Sequence, residues 1–183
     1  MKKYEFTGET KAHYDRTLKR IRRLSDGLIG GWIESEANLS HVGECFIYDA
    51  AIVYENAIVY GDAKVYDYAM IYGNAQVLGN AQVFGYSRVF GDVQVYDAAE
   101  VFGDAHVYCH AVVCGESQIY GSARVYGNAA IYGHAYIFDD AQVYGNAEIF
   151  GNVCVFGNAS VCDNARVSGN INISGNDRST SRE

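Results

Sequence analysis

The stretch ARVYGNAAIYGHAYIF, Ala123 to Phe138, runs almost three times through one six-residue pattern: a small residue, a variable one, Val or Ile, an aromatic, Gly, then a polar residue. Val125, Ile131 and Ile137 take the third place, each two residues after an alanine. Two apolar positions separated by one variable residue have the period of a strand, so the alanine and the aliphatic face one side and the variable residue faces the other. The glycine that follows accepts positive φ at little cost, which marks a corner rather than a continuing strand.

The pattern continues in both directions, and Cys45 to Asn176 divides into 22 hexads without insertion or deletion. Every third place is Val or Ile; the first place is Ala in sixteen hexads, and the fifth is Gly in fifteen and Asp in five. No hexad has room for the loop of a hairpin, so the chain must turn the same way at each corner and coil. The inward residues then form a dry stack of Val, Ile and Ala, about 35 Å long at ~4.8 Å per strand spacing.

These hexads resemble those of the hexapeptide-repeat, left-handed β-helix proteins, in which three hexads make one triangular coil of 18 residues. The resemblance covers about 132 of the 183 residues. It implies an all-β fold, a single-stranded left-handed parallel β-helix of about seven coils over residues 45–176, with a small N-terminal cap at 1–44 and a polar tail at 177–183. More narrowly, YEFTGE (Tyr4–Glu9), GGWIESEANLS (Gly30–Ser40) and the VYGNA style of hexad are similar to proteins of bacteriophages and prophages that are often labelled hexapeptide acyltransferases.

Within the cap, the sequence predicts a strand near Tyr4–Thr7, a strand or helix near Thr17–Leu24, and a turn at Gly30-Gly31-Trp32-Ile33 leading into the first coil. The outward residues Phe46, Ile52, Ile58 and Met70 are apolar where later coils carry Lys, Gln, Arg or Glu, so this patch is expected to pack under residues 1–44. The closing NDRSTSRE is expected to fray.

Stacking at 18 residues sorts the outward side chains into ladders. Seventeen of 22 fourth places are aromatic, falling on three edges. Such rings stabilise one another from coil to coil, and long exposed aromatic stripes also mark interaction surfaces. On one face the mid-strand outward residues run Ile52, Met70, Arg88, His106, Arg124, Gln142, Ser160, which puts three basic groups in succession beside Phe90, Tyr108 and Tyr126. Stacked cations repel. Either Asp92 and Asp104 neutralise them, or an anionic ligand does, a phosphate or nucleotide held by the Arg forks with its base on an aromatic.

Composition limits the alternatives. The net charge is −8, and residues 45–176 carry four Lys/Arg against thirteen Asp/Glu, which argues against direct binding to a nucleic-acid backbone. Five cysteines at irregular spacing suit free thiols in a reducing compartment, and Cys109, Cys114, His106 and His110 match no zinc-finger spacing, so no metal is expected. No run of 18 apolar residues suggests a membrane span, and the N-terminus lacks a signal-like apolar stretch, so the expected location is cytoplasmic, that of the host for a phage product.

Two functions stay open. The first is a non-enzymatic, phage-type binding or inhibitor protein, without cofactor, that sequesters an anionic small molecule or blocks a host protein. The second follows from the resemblance alone: an acyltransferase using acetyl-CoA, with a His general base at a groove between subunits, for which His106, His110 and His134 are the candidates. The family's side-by-side packing implies a homo-oligomer, a trimer. Those enzymes build their acceptor site from an excursion out of the coil or a following domain, and neither is visible here.

Overall fold

The computed structural model describes residues 2–175 and, as backbone, Arg178–Ser179. The repeat forms a left-handed β-helix, a triangular prism with three parallel sheets as its faces. Each two-residue strand pairs with the strand 18 residues on, as Arg124–Val125 does with Gln142–Val143. All 22 fifth-place residues have positive φ, the fifteen glycines together with Asp49, Glu55, Asp67, Asp97, Cys109, Asp139 and Asp163. The core is a column of Val, Ile and Ala with no solvent access. Ser87 and Ser117 fit the small inward place because each hydroxyl donates to the carbonyl of the preceding corner, Phe84 O at 2.7 Å and Cys114 O at 2.8 Å.

The first 44 residues extend one face of the prism. Strand β1 (Tyr4–His13) and strand β2 (Arg16–Arg23) form an antiparallel hairpin, and strand β3 (Ile29–Ile33) lies antiparallel to β2 and parallel to Ile52–Val53. That face therefore has eleven strands, and the other two have eight and seven. The segment near Thr17–Leu24 is a strand, and the expected turn at Gly30–Ile33 is corrected to a strand as well. Gly30 and Gly31 are there for close approach, because a Cβ would meet Ile47 O at 2.6 Å or Ala51 O at 2.6 Å as β3 crosses the end of the prism.

Between β3 and Cys45 the chain makes one more turn, in which partners stand twenty residues apart: Trp32 with Ile52, Leu39 with Val59. Buried Asn38 takes the place of a rung, its Nδ2 donating to Glu55 O and Ala57 O, both at 2.9 Å, while its Oδ1 accepts from Ser35 N at 2.8 Å. The helix thus has one turn more than the hexads alone supply.

Apolar contact and charge fix the hairpin to the outside of its own face. Leu18, Ile52 and Tyr54 are buried together, with Trp32, Met70 and Tyr72 against them. At the hairpin tip, Arg16 donates twice to Glu34 (2.8 and 3.0 Å) and lies 3.3 Å from Glu55. Phe46 is buried as expected, but Ile58 is 38% exposed and lies outside this cover. Of the tail expected to fray, Arg178–Ser179 pairs with Ser160–Val161 and the remainder lies outside the described residues.

Candidate functional site

The eleven-stranded face is apolar and covered at its N-terminal end and cationic beyond. Arg88 stands in register with His106, and His106 with Arg124. Both arginines are exposed and His106 is half-buried between them. Burial first, then the fields of Arg88 and Arg124, hold the His106 imidazole below the usual histidine value, opposed by Asp104.

The carboxylates that would neutralise this row are not on it. Asp92 lies across the aromatic edge, where it accepts from Asn74 Nδ2 at 2.7 Å and sits 3.2 Å from His110 Nδ1. Beyond the cap, the ion pairs among the described residues are His110–Asp92, His134–Glu116 and Arg166–Glu148. Arg88 and Arg124 belong to none of them, while Arg166, on another face, has both Glu148 and the ring of Phe150 at 5.2 Å.

The aromatic edge beside the row is a continuous stack. Tyr72, Phe90, Tyr108, Tyr126 and Tyr144 follow one another at centroid separations of 4.8–5.1 Å and within 5° of parallel. The rings fold back over their own face, so that Tyr126 OH donates to Gln142 Oε1 at 3.3 Å. Because both sides of Phe90, Tyr108 and Tyr126 are occupied by neighbouring rings, they offer a ligand edges and hydroxyls but no free face.

The other border of the face went unread in the sequence. Tyr68 and Tyr86 stand in sixth places, where Asn and Asp are usual, and form a stacked pair at 5.0 Å and 4° with 57% and 61% of their surface exposed. Their departure from the sixth-place pattern was the available signal. Tyr86 immediately precedes Ser87-Arg88, so the cationic row has aromatics on both sides. Tyr14, at the tip of the hairpin, is 87% exposed.

The three candidate histidines are separated. His106 is on the face; His110 and His134 are on corners, each with Nδ1 3.2 Å from the carboxylate one turn below, Asp92 and Glu116. These pairs have the same coil-to-coil geometry as the amide pairs Asn56–Asn74 and Asn128–Asn146. No group of three or more His, Cys, Asp or Glu suited to a metal ion occurs among the described residues. Among them, too, no helix is long and apolar enough to cross a membrane.

A cleft of about 470 Å³ opens elsewhere, at the N-terminal end, lined by Lys2, Lys3, Arg23, His41 and Cys45 among others. Its cations are already engaged: Lys2 with Glu36, Arg23 with Asp26, and Lys3 Nζ with Gly43 O (3.1 Å) and Cys45 Sγ (3.0 Å). Among the described residues the arginines without an acidic partner are the two on the face, Arg88 and Arg124, whereas Arg23 in the cleft is paired. No protein-family model matches the chain, and no curated protein matches it in sequence.

Proposed function

We propose that this is a non-catalytic binding protein whose eleven-stranded face holds an anionic small molecule, a nucleotide, through Arg88, His106 and Arg124. The observation that carries this reading is the pair of unpaired arginines one turn either side of a half-buried histidine, on a prism whose other charges are mostly acidic. Holding such a row with only the field of Asp104 to oppose it costs energy, and a phosphate accepting from both guanidinium forks and from a protonated His106 relieves it. The aromatic edge, Phe90, Tyr108 and Tyr126, walls the site. The resemblance noted in the sequence adds the setting: a phage-type product that sequesters its ligand in the host cytoplasm and packs through its aromatic edges as a trimer.

Titration of the protein with nucleoside monophosphates tests this. Binding is expected to weaken about tenfold or more in Arg88→Ala and in Arg124→Ala, in line with one charge-assisted hydrogen bond each. Binding indifferent to both substitutions would remove the site.

One observation favours the second reading, acyl transfer from acetyl-CoA. The Asp92 carboxylate stands 3.2 Å from His110 Nδ1 and so leaves Nε2 as the nitrogen not engaged by it, the arrangement that an oriented general base requires. Acetyl-CoA turnover that disappears in His110→Ala would establish that reading in place of the first.

A further inference from the structure

We infer that the base of the bound nucleotide lies on Tyr86 and is read by Asp104, which makes a guanine nucleotide the preferred ligand; this rests on the binding face proposed above. Tyr86 differs from the other rings bordering the face. Phe84 and Phe102 on the adjoining corner, and Phe90, Tyr108 and Tyr126 across the face, each have a ring on both sides. Among the described residues Tyr86 is stacked on one ring alone, that of Tyr68. One turn further on, the same place in the hexad is Asp104, so the second face of the Tyr86 ring meets a side chain shorter than itself and its hydroxyl-bearing end is left open. Here a flat ligand can continue an existing aromatic stack directly beside the arginine row.

Asp104 stands at the level such a ligand would occupy. It is exposed, its backbone N–H is engaged with Gly121 O at 2.8 Å, and its carboxylate has no hydrogen-bond or ion-pair partner among the described residues. An ionised carboxylate only accepts, through two oxygens. Guanine presents two neighbouring donors, N1–H and the N2 amino group, to such a fork, whereas adenine and cytosine present one amino group each. The carboxylate therefore selects guanine.

The phosphate falls where the cations are. His106 lies two residues beyond Asp104, past the corner and on the same face as the arginines. Arg88 follows Tyr86 on the rung below and Arg124 lies on the rung above, so the two guanidinium groups close on that phosphate from opposite sides of His106.

Calorimetric titration of the full chain with GMP, AMP, CMP and ribose 5-phosphate tests this, using Tyr86→Ala, Asp104→Asn and the double variant Arg88→Ala/Arg124→Ala. Tyr86, Arg88, Asp104 and Arg124 are all exposed in the native protein, and unchanged Trp32 fluorescence checks that each variant is folded. GMP is expected to bind tightest. Tyr86→Ala should lower GMP affinity about tenfold, toward that of ribose 5-phosphate, as loss of one base–aromatic stack predicts. Asp104→Asn should erase the preference for GMP over AMP while leaving ribose 5-phosphate unaffected. If nucleotides bind in an arginine-dependent way but with no preference for GMP, or if Tyr86→Ala and Asp104→Asn change nothing, the Tyr86–Asp104 assignment is overturned and the binding face stands. If neither the nucleotides nor ribose 5-phosphate bind, or binding survives loss of both arginines, the binding face itself is overturned and this assignment with it.

Discussion

The carboxylate of Asp97 accepts the backbone N–H of Gly115, one turn along the prism, at 3.1 Å. Asp67 does the same for Gly85, Asp139 for Gly157, and Glu55 for Gly73. These non-glycine corners answer a need that glycine cannot meet. Their positive φ costs about 1 kcal/mol, and the hydrogen bond to a corner N–H offsets it. Asp97→Ala keeps the strained backbone and loses the bond, so thermal or urea unfolding should show a loss of about 1–2 kcal/mol. Asp97→Gly and Asp97→Asn, which relieve the strain or keep an acceptor, should stay within about 0.5–1 kcal/mol of the wild type. Equal stability of Asp97→Ala and Asp97→Asn would show that the bond to Gly115 contributes nothing.

A second prediction concerns where β3 crosses the prism. A Cβ on Gly31 would lie 2.6 Å from both Ala51 O and Ile47 Cγ2, and neither atom belongs to a flexible chain end. Gly31→Ala should displace β3 and loosen the hairpin attached to it. Trp32, the single tryptophan, is the reporter: its emission should shift to the red, and the protein should lose about 2–3 kcal/mol of stability, the range of an overpacked core. Unchanged emission with an unchanged melting point would mean the crossing has slack.

A third follows from His106. Its folded-state pKa is held below the ordinary value by burial and by Arg88 and Arg124, with Asp104 opposing them. The unfolded chain therefore takes up this proton first as pH falls. The resulting destabilisation is absent above the ordinary value of 6.5 and grows as pH drops through it toward the folded value. Arg88→Ala or Arg124→Ala removes one opposing field and should move the His106 resonances toward ordinary titration in an NMR pH series. A titration curve indifferent to both substitutions would show that the row is not electrically coupled.

The same histidine gives a fourth prediction, for binding. A phosphate at the row favours protonated His106 and raises its lowered pKa, so binding takes up a proton and affinity rises as pH falls through the range in which the bound histidine gains that proton. His106→Gln should bind more weakly at acid pH and abolish most of this dependence. A pH dependence unaltered by His106→Gln would place the linkage elsewhere.

Much of this was legible because the repeat does not drift. Val125, Gly127 and Arg124 take their places from counting alone, and the same count put Arg88, His106 and Arg124 in register. Counting fails where one residue type has two uses. The glycines at 30 and 31 read as a turn, yet here they permit contact, a role that only the neighbouring Ile47 and Ala51 reveal. The sixth-place tyrosines at 68 and 86 were hidden by the habit of that place, which favours side chains that bond to the turn. Leu18 belongs to a strand chiefly because Ile52 and Tyr54 need cover, a tertiary demand that leaves no local period.

The irregular turn held by Asn38 has a further consequence. Identical rungs carry no origin: a segment displaced along the prism by 18 residues meets the same corners, the same faces and a core of the same composition, so the hexads alone leave their alignment nearly degenerate. A turn of twenty residues occurs once, and Asn38 fits only the backbone between Glu55 and Ala57. It is the zero mark of the ruler. The later rungs keep their register with one another by counting, as Arg88, His106 and Arg124 do; what the mark fixes is the rung against which β3 and the hairpin attached to it come to rest.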